Sequence, residues 1–358
     1  MTTVWVVLLL MGILIVGILT IYVYLVVRKV NQKNLLKKQQ NWLEQNLNTI
    51  ENYVVKGELS VSFFPNEEYQ FSVMEEIFSH YLGIIQFEKD FDPIRPIINR
   101  YLLPRYRKKL ASRRWAERMN ALYFIHQFGI KSMKNDLISH LDSANCSVEE
   151  RFEIFLILAR FRDQTVFTLI KSHKQMPSFL LTECLKHFTT FRTIDSFLMD
   201  WHELDQTIQY ALLDVIRVKH FLTEKTQALL ESLIQSSDLE LRIRSYKTIA
   251  SIGYLSKKEL VLNRIKIMQS TEEWDNQKNI SEKLMLTRLM GSIRSQDFLP
   301  ILHQLISDRA YSVRSEAARS IRKYKNGEEL LLEINKTHLD AYARQIAQEW
   351  LERVVFDE

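Results

Sequence analysis

Towards the C-terminus the chain reads SDRAYSVRSEAARSIRKY. A hydrophobe and an arginine are followed by small or apolar residues three and four positions on, and by another hydrophobe three further. This places the apolar positions on one face of a 3.6-residue helix. The pattern recurs along the chain. SSDLELRIRSYKTIASIG repeats it with Leu241, Arg242 and Ile249 in the places of Val313, Arg314 and Ile321, and ends in Gly253, where a left-handed helix cap belongs. ERMNALYFIHQFG carries it on Arg118, Ala121, Ile125, Phe128 and Gly129, and ERFEIFLILARF on Arg151, Ile154, Leu158 and Phe161. Fainter copies centre on Leu181, Gln209, Lys283 and Arg344. The arginine-type position thus falls at 118, 151, 181, 209, 242, 283, 314 and 344, at gaps of about 28 to 41 residues. Each gap holds two short helices and two turns, the mark of a repeat architecture.

The second helix of a pair is visible in SQDFLPILHQLISD, where Phe298, Ile301, Leu302, Leu305 and Ile306 share a face and Pro300 sits in the first turn. Asp238 and Asp340 stand four residues before Arg242 and Arg344, Asp308 precedes Arg314, and Asp205 stands four before Gln209. Aspartates there are expected N-caps.

A different pattern opens the chain. From Val4 to Val27 no residue is charged, enough to cross a bilayer core about 30 Å thick. Trp5 near one end and Tyr22 and Tyr24 near the other suit the interfaces. The apolar run is too long for a cleaved leader, and no basic residue precedes it. Arg28, Lys29, Lys33, Lys37 and Lys38 follow it, so the positive-inside rule predicts a single-pass cell-membrane protein, N-terminus out, with the rest of the chain cytoplasmic. Beyond the span, Leu36, Leu43, Leu47, Ile50 and Val54 form a short heptad-like stripe, open to two readings: a homodimeric coiled coil, or a helix leaning on the domain that follows.

The sequence therefore divides into a tail (1–3), a transmembrane helix (4–27), a basic helical linker (28–54), a degenerate first repeat or cap (55–109) and a repeat region (110–358). Eight glycines and six prolines in 358 residues fit an all-α chain with few turns. Cys146 and Cys184 form neither a disulfide framework nor a ligand pair, which fits a reducing compartment.

The units resemble HEAT repeats of the short bacterial kind, with the pattern Asp, Val-Arg, Ala-Ala, Leu-Gly. The resemblance covers residues 110 to 354 and implies a right-handed α-solenoid. It also implies an aspartate–arginine ladder between repeats, matched here by Asp238, Arg242, Asp308 and Arg314, with Asp340 and Arg344 in the same places further on. The ladder is expected to break where Leu181 and Gln209 replace the arginine.

No phosphate-binding loop, nucleophile elbow, zinc spacing or calcium loop is present, and no histidine pairs with a histidine or cysteine at helical ligand spacing. Adjacent acids such as Glu149 and Glu150, or Glu272 and Glu273, point about 100° apart on a helix and make poor acid–base dyads. Trp274 lies in a long insert, covered or exposed. The net charge of +5 is mild, but RYRKKLASRRWAER concentrates Arg105, Arg107, Lys108, Lys109, Arg113, Arg114 and Arg118 around Trp115. Three readings compete for it: docking to anionic lipid or an acidic protein, contact with nucleic-acid phosphates, or the solvated face of two helices. The expected function is a non-enzymatic, membrane-tethered scaffold that needs no cofactor and binds a membrane-associated protein partner. By analogy with the family it is an accessory subunit of an envelope or polysaccharide-export complex. The rival reading is a nucleic-acid-binding protein or a DNA-glycosylase-type enzyme using the basic cluster.

Overall fold

A computed structural model describes residues 2–56, 65–84, 94–162, 166, 168–169, 176–271, 274, 276 and 279–353. Among these every regular element is helical, so the all-α expectation holds. The chain forms two compact units, Met1–Phe161 and Arg162–Glu358, so the region read as one repeat array lies across both.

The first unit opens with α1 (Thr2–Lys56), one helix of 55 residues and about 80 Å. No break separates its apolar and basic parts. It is the one helix among the described residues long and apolar enough to cross a membrane, and none of its most apolar 18-residue window is buried by protein. Arg28, Lys29, Lys33, Lys37 and Lys38 are all exposed on it. Near its end α1 packs on α2 (Glu68–Ile84). The half-buried positions there include Gln39, Trp42, Leu43 and Asn46, while Leu36 and Leu47 remain exposed. The leaning face is thus offset from the leucine stripe. The side chains of Ile50 and Val54 lie outside the described residues.

Next come α3 (Arg95–Ile97), a π-helical turn at Ile98–Leu102 and α4 (Leu103–Leu110). Then follow α5 (Trp115–Phe128), α6 (Lys134–Leu141) and α7 (Val148–Arg160). Helix α5 is the hub: it packs on α2, α4 and α7.

The second unit is a succession of helix pairs. Its first row is α8 (Ser178–Phe188), α10 (Gln206–Lys219), α12 (Leu239–Ile252), α14 (Ile280–Ile293), α16 (Tyr311–Arg322) and α18 (Ala341–Glu352). Each of these packs on the next. Between them lie α9 (Ile194–Met199), α11 (Glu224–Leu233), α13 (Lys258–Ser270), α15 (Leu299–Leu305) and α17 (Gly327–Thr337). The positions read as the repeat core are buried: Ser245, Tyr246 and Ile249 in α12, and Ala317, Ala318 and Ile321 in α16. Burying a side chain of this kind contributes on the order of 1 to 3 kcal/mol, which one helix pair alone cannot realise. A hydroxyl six residues after the arginine position also bonds back to the preceding helix of the row: Thr248 donates to the Leu213 carbonyl (3.3 Å) and Ser320 to that of Thr287 (3.0 Å).

Helix ends follow the sequence in part. Asp238 and Asp340 cap α12 and α18 through the amides of Leu241 (2.8 Å) and Tyr342 (3.0 Å). Asp308 accepts from the Ala310 amide (2.9 Å) just before α16. Asp205 stands at the cap of α10 but its side chain accepts no cap bond. Gly129 and Gly253 close α5 and α12 in the left-handed region, as expected, but His220 and Arg294 close α10 and α14 at φ of 51° and 55°. A Cβ is strained there. His220→Gly and Arg294→Gly are each expected to raise stability by about 0.5–1 kcal/mol in denaturant melts, net of glycine's unfolded-state entropy. Gly253→Ala is expected to lower it.

Candidate binding groove and the charged network

The basic cluster does not form one surface. Leu103, Tyr106 and Leu110 turn one face of α4 inward, which leaves Arg105, Arg107, Lys108 and Lys109 around the remainder. Arg105 makes a two-pronged ion pair with Glu68, lies 3.7 Å from Glu75, and covers the Phe71 ring at 4.9 Å. Lys109 lies 3.9 Å from Glu68 and 4.0 Å from Glu75. Arg107 bonds Asp136 at 3.1 Å, and Arg114 bonds Glu117 at 3.3 Å. Trp115 donates to the Ser147 hydroxyl at 3.2 Å. Arg118, read as part of a docking patch, is instead interior. Its side chain reaches both oxygens of Glu150 (2.6 and 3.2 Å), and the Ser112 and Asn145 carbonyls. Among the described residues, Lys108 and Arg113 are the members of the cluster that are exposed without an ion pair.

What the cluster does form is one wall of a groove of about 990 Å³ in the first unit. Helix α2 supplies Glu68, Ser72, Glu75, Glu76 and Ser79, and α4 supplies Arg105, Lys108 and Lys109. Glu117, Asn120, Tyr123 and Phe124 of α5 close the other side. At the base sits Glu75, 4% exposed. Its Oε1, the Arg105 Nε and the Tyr106 hydroxyl are buried without a hydrogen bond of good geometry among the described residues. Burial pushes the Glu75 carboxyl above its ordinary range, more than Lys109 and Arg105 beside it pull it down. At the rim the Arg105 hydrogen bond holds Glu68 below that range. The three buried atoms lie against one another, with the Arg105 Nε 3.7 Å from the Glu75 Oε1 and the Tyr106 hydroxyl beside the carboxyl. The sequence showed α4's cations; it did not show the acids of α2 that face them, some 30 residues earlier.

One rung of the ladder that the resemblance implies is present, Asp308 with Lys283 at the arginine-type position of the preceding unit, while the other ladder positions find other partners. Asp238 and Arg242 do not pair with each other. Arg242 grips Glu282 of α14 (2.8 and 2.8 Å), while Asp238 accepts from Tyr210 (3.0 Å) and Gln206 of α10. Asp308 pairs with Lys283, over which Trp274 stacks at 5.4 Å. Trp274 is thereby partly covered. Arg314 lies between the rings of Tyr311 (5.9 Å) and Tyr342 (5.2 Å).

The arginines share a different role. Each folds back onto the carbonyl six residues before it: Arg118 on Ser112 (3.0 Å), Arg242 on Ser236 (2.7 Å), Arg314 on Asp308 (2.7 Å) and Arg344 on His338 (2.6 Å). A guanidinium presents several donors in a rigid fork, so it pins the loop entering its own helix with one part and reaches a neighbour with another. Lysine cannot do both.

Two of these sites are built alike. Arg118 of α5 and Glu150 of α7 are joined by His140 of α6, whose Nε2 lies 3.5 Å from Glu150. Arg242 of α12 and Glu282 of α14 are joined by Arg264 of α13 at 2.9 Å. His140, Cys146 and Glu150 place N, S and O donors within 4.8 Å of one another, a grouping the sequence spacing did not reveal because it forms across the α6–α7 turn. Both Glu150 oxygens are already held by Arg118, and one also by the Ser147 amide (2.7 Å). Burial, then Glu150, pushes the Cys146 thiol up, away from thiolate. The group is an ion-pair rung, the counterpart of the one at Glu282.

No family model matches the chain, and no curated protein matches it. Among solved structures it is similar to a crystal structure described as an engineered protein, 13% identical over 80% of this chain and 75% of that one, with a TM-score of 0.31.

Proposed function

We propose that the chain is a single-pass membrane protein whose helix-pair units hold a protein partner at the cytoplasmic face. The observation that carries this reading is α1: its apolar window is uncovered by protein and runs unbroken into a helix that leans on α2. Each Leu, Ile, Val or Phe in the window favours insertion by about 0.3–0.6 kcal/mol, several kcal/mol in all. A tethered surface meets membrane-bound partners at high effective concentration, so modest intrinsic affinity suffices. The helix-pair succession is read as a right-handed HEAT-type solenoid, and an accessory role in an envelope or polysaccharide-export complex is what the resemblance implies.

The nucleic-acid reading fares worse on the same residues. Phosphate binding needs uncommitted cations, and Arg105, Arg107, Arg114 and Arg118 are engaged by acids of their own chain. The test is fractionation followed by affinity purification of the full-length protein from detergent-solubilised membranes. The protein is expected to resist an alkaline wash and to bring down one membrane-associated protein reproducibly. Release by the wash, or no companion together with salt-dependent DNA binding, overturns the proposal.

A further inference from the structure

We infer that the second unit makes a membrane contact of its own, along the edge where its row helices end, and that the cations gathered there meet anionic lipid headgroups. This rests on the single-pass reading above and adds which surface of the second unit faces lipid. The row helices pack each on the next and are separated in the chain by returning helices, so their C-terminal ends share one edge. Contacts join those ends. Lys219 donates to the Thr189 carbonyl (2.7 Å), the Tyr324 hydroxyl to that of Ser295 (2.9 Å), and Arg322 to that of Arg353 (2.8 Å).

Charge is the first argument for lipid. Gly291 lets α14 approach α16 so closely that a Cβ on it would stand 2.8 Å from the Ser320 Cα. Arg288 and Arg294 lie about one turn to either side of Gly291, and Arg319 and Lys323 flank Ser320, so four cations are crowded together. Arg294 and Lys323 are exposed, and Arg288 and Arg319 are half-exposed. Two acids stand among them: Glu316, shared by Arg288 (3.3 Å) and Arg319 (3.8 Å), and the exposed Asp297. Burial, then Arg319, Arg288 and Arg294, holds the Lys323 ammonium below its ordinary value, more than Glu316 pulls it up. An arriving anion relieves repulsion of this kind.

Apolar surface is the second argument. Phe191, Val218, Leu222 and Tyr254, at or just past the ends of α8, α10 and α12, are between 42% and 59% exposed. Glu224, Glu259 and Glu328 share the edge, in the first turns of returning helices, where the helix dipole holds them. A bilayer interface takes apolar, aromatic and cationic side chains together, whereas a nucleic-acid backbone uses only the cations. An acidic protein would have to be brought there. The anionic leaflet is there already, held within reach at high effective concentration by α1.

The test uses the full-length protein in nanodiscs of phosphatidylcholine, alone or with phosphatidylglycerol, carrying photo-reactive benzoylphenylalanine in place of Tyr254. Leu339, 97% exposed just before α18 at the opposite edge, is the control position. Lipid adducts, identified by mass, are expected from position 254 and not from 339, and to need phosphatidylglycerol. Their yield should fall about fivefold in Lys323→Gln and in Arg294→Gly, the factor equivalent to about 1 kcal/mol for each cation lost. The second variant is expected to stabilise the fold, so a loss of adduct there is not unfolding. If the adduct ignores headgroup charge, arises equally from 339 or survives both substitutions, the edge assignment falls while the single-pass reading stands. Adducts from 254 to a protein in place of lipid, in intact membranes, overturn the assignment as well. If the chain does not enter the discs, both readings fall.

Discussion

Glu282→Ala lowers the stability of the C-terminal unit by about 3–5 kcal/mol, the range for breaking a buried ion pair from one side. At about 2–4 °C per kcal/mol for a unit of this size, the melting temperature drops by roughly 10 °C. Glu282 is fully buried and accepts from Arg242 (2.8 and 2.8 Å), Arg264 (2.9 and 3.1 Å) and the Tyr246 hydroxyl (3.1 Å). Removing it leaves two guanidinium groups facing each other out of water. The same contacts make stability depend on pH. Although burial opposes ionisation, the two arginines hold the carboxyl at about 2 against an ordinary 4.5. A depressed carboxyl stabilises the fold fully above its unfolded value, and that contribution is lost as pH falls from 4.5 toward 2. The loss amounts to about 3 kcal/mol. Urea midpoints measured at pH 6 and pH 2.5 should therefore converge in Glu282→Gln and diverge in the parent. A Glu282→Gln protein as stable and as acid-sensitive as the parent would show that the network contributes nothing net.

Gly291→Ala is the second large effect, and its sign runs against helix propensity. In an exposed helix the change is worth up to about 1 kcal/mol of stabilisation. Here a Cβ would stand 2.3 Å from the Ser320 Oγ, 2.5 Å from its Cβ and 2.8 Å from its Cα. The last of these is backbone, so a rotamer change cannot relieve the clash. Helices α14 and α16 must separate, stretching the bond from Ser320 to the Thr287 carbonyl. Overpacking of this kind costs about 1–3 kcal/mol beyond the propensity gain. Ser320→Gly in the same chain removes the two shorter contacts, so the double variant should recover part of the loss. Strict additivity of the two substitutions in chemical melts would rule out this contact as the cause.

Neither effect was visible in the sequence, although the helices that host them were. Period and caps located α12, α14, α16 and α18, because burial of one face and closure of each end are local demands that residues three and four apart must satisfy. The apolar run in α1 was legible for the same reason. Partner choice is not local. Arg242 and Glu282 are 40 residues apart, and nothing near Arg242 says that a glutamate beyond the next helix will answer it in place of Asp238. The groove was half legible: α4 displayed its cations, while the acids of α2 sit in a segment with no repeat signature. The His140, Cys146 and Glu150 grouping was invisible because its members come from two helices and the turn between them.

The unbroken course of α1 has a mechanical consequence. A membrane anchor joined by a loop lets its cargo swivel freely, whereas a helix stiff over about 80 Å acts as a lever arm. With its apolar half held in a bilayer, as proposed, any tilt or rotation of that half passes as torque to the bundle seated on its far end. The α2–α4–α5 groove would then be presented to the lipid surface at a set height and bearing, and a glycine pair inserted near Lys33 should uncouple the two.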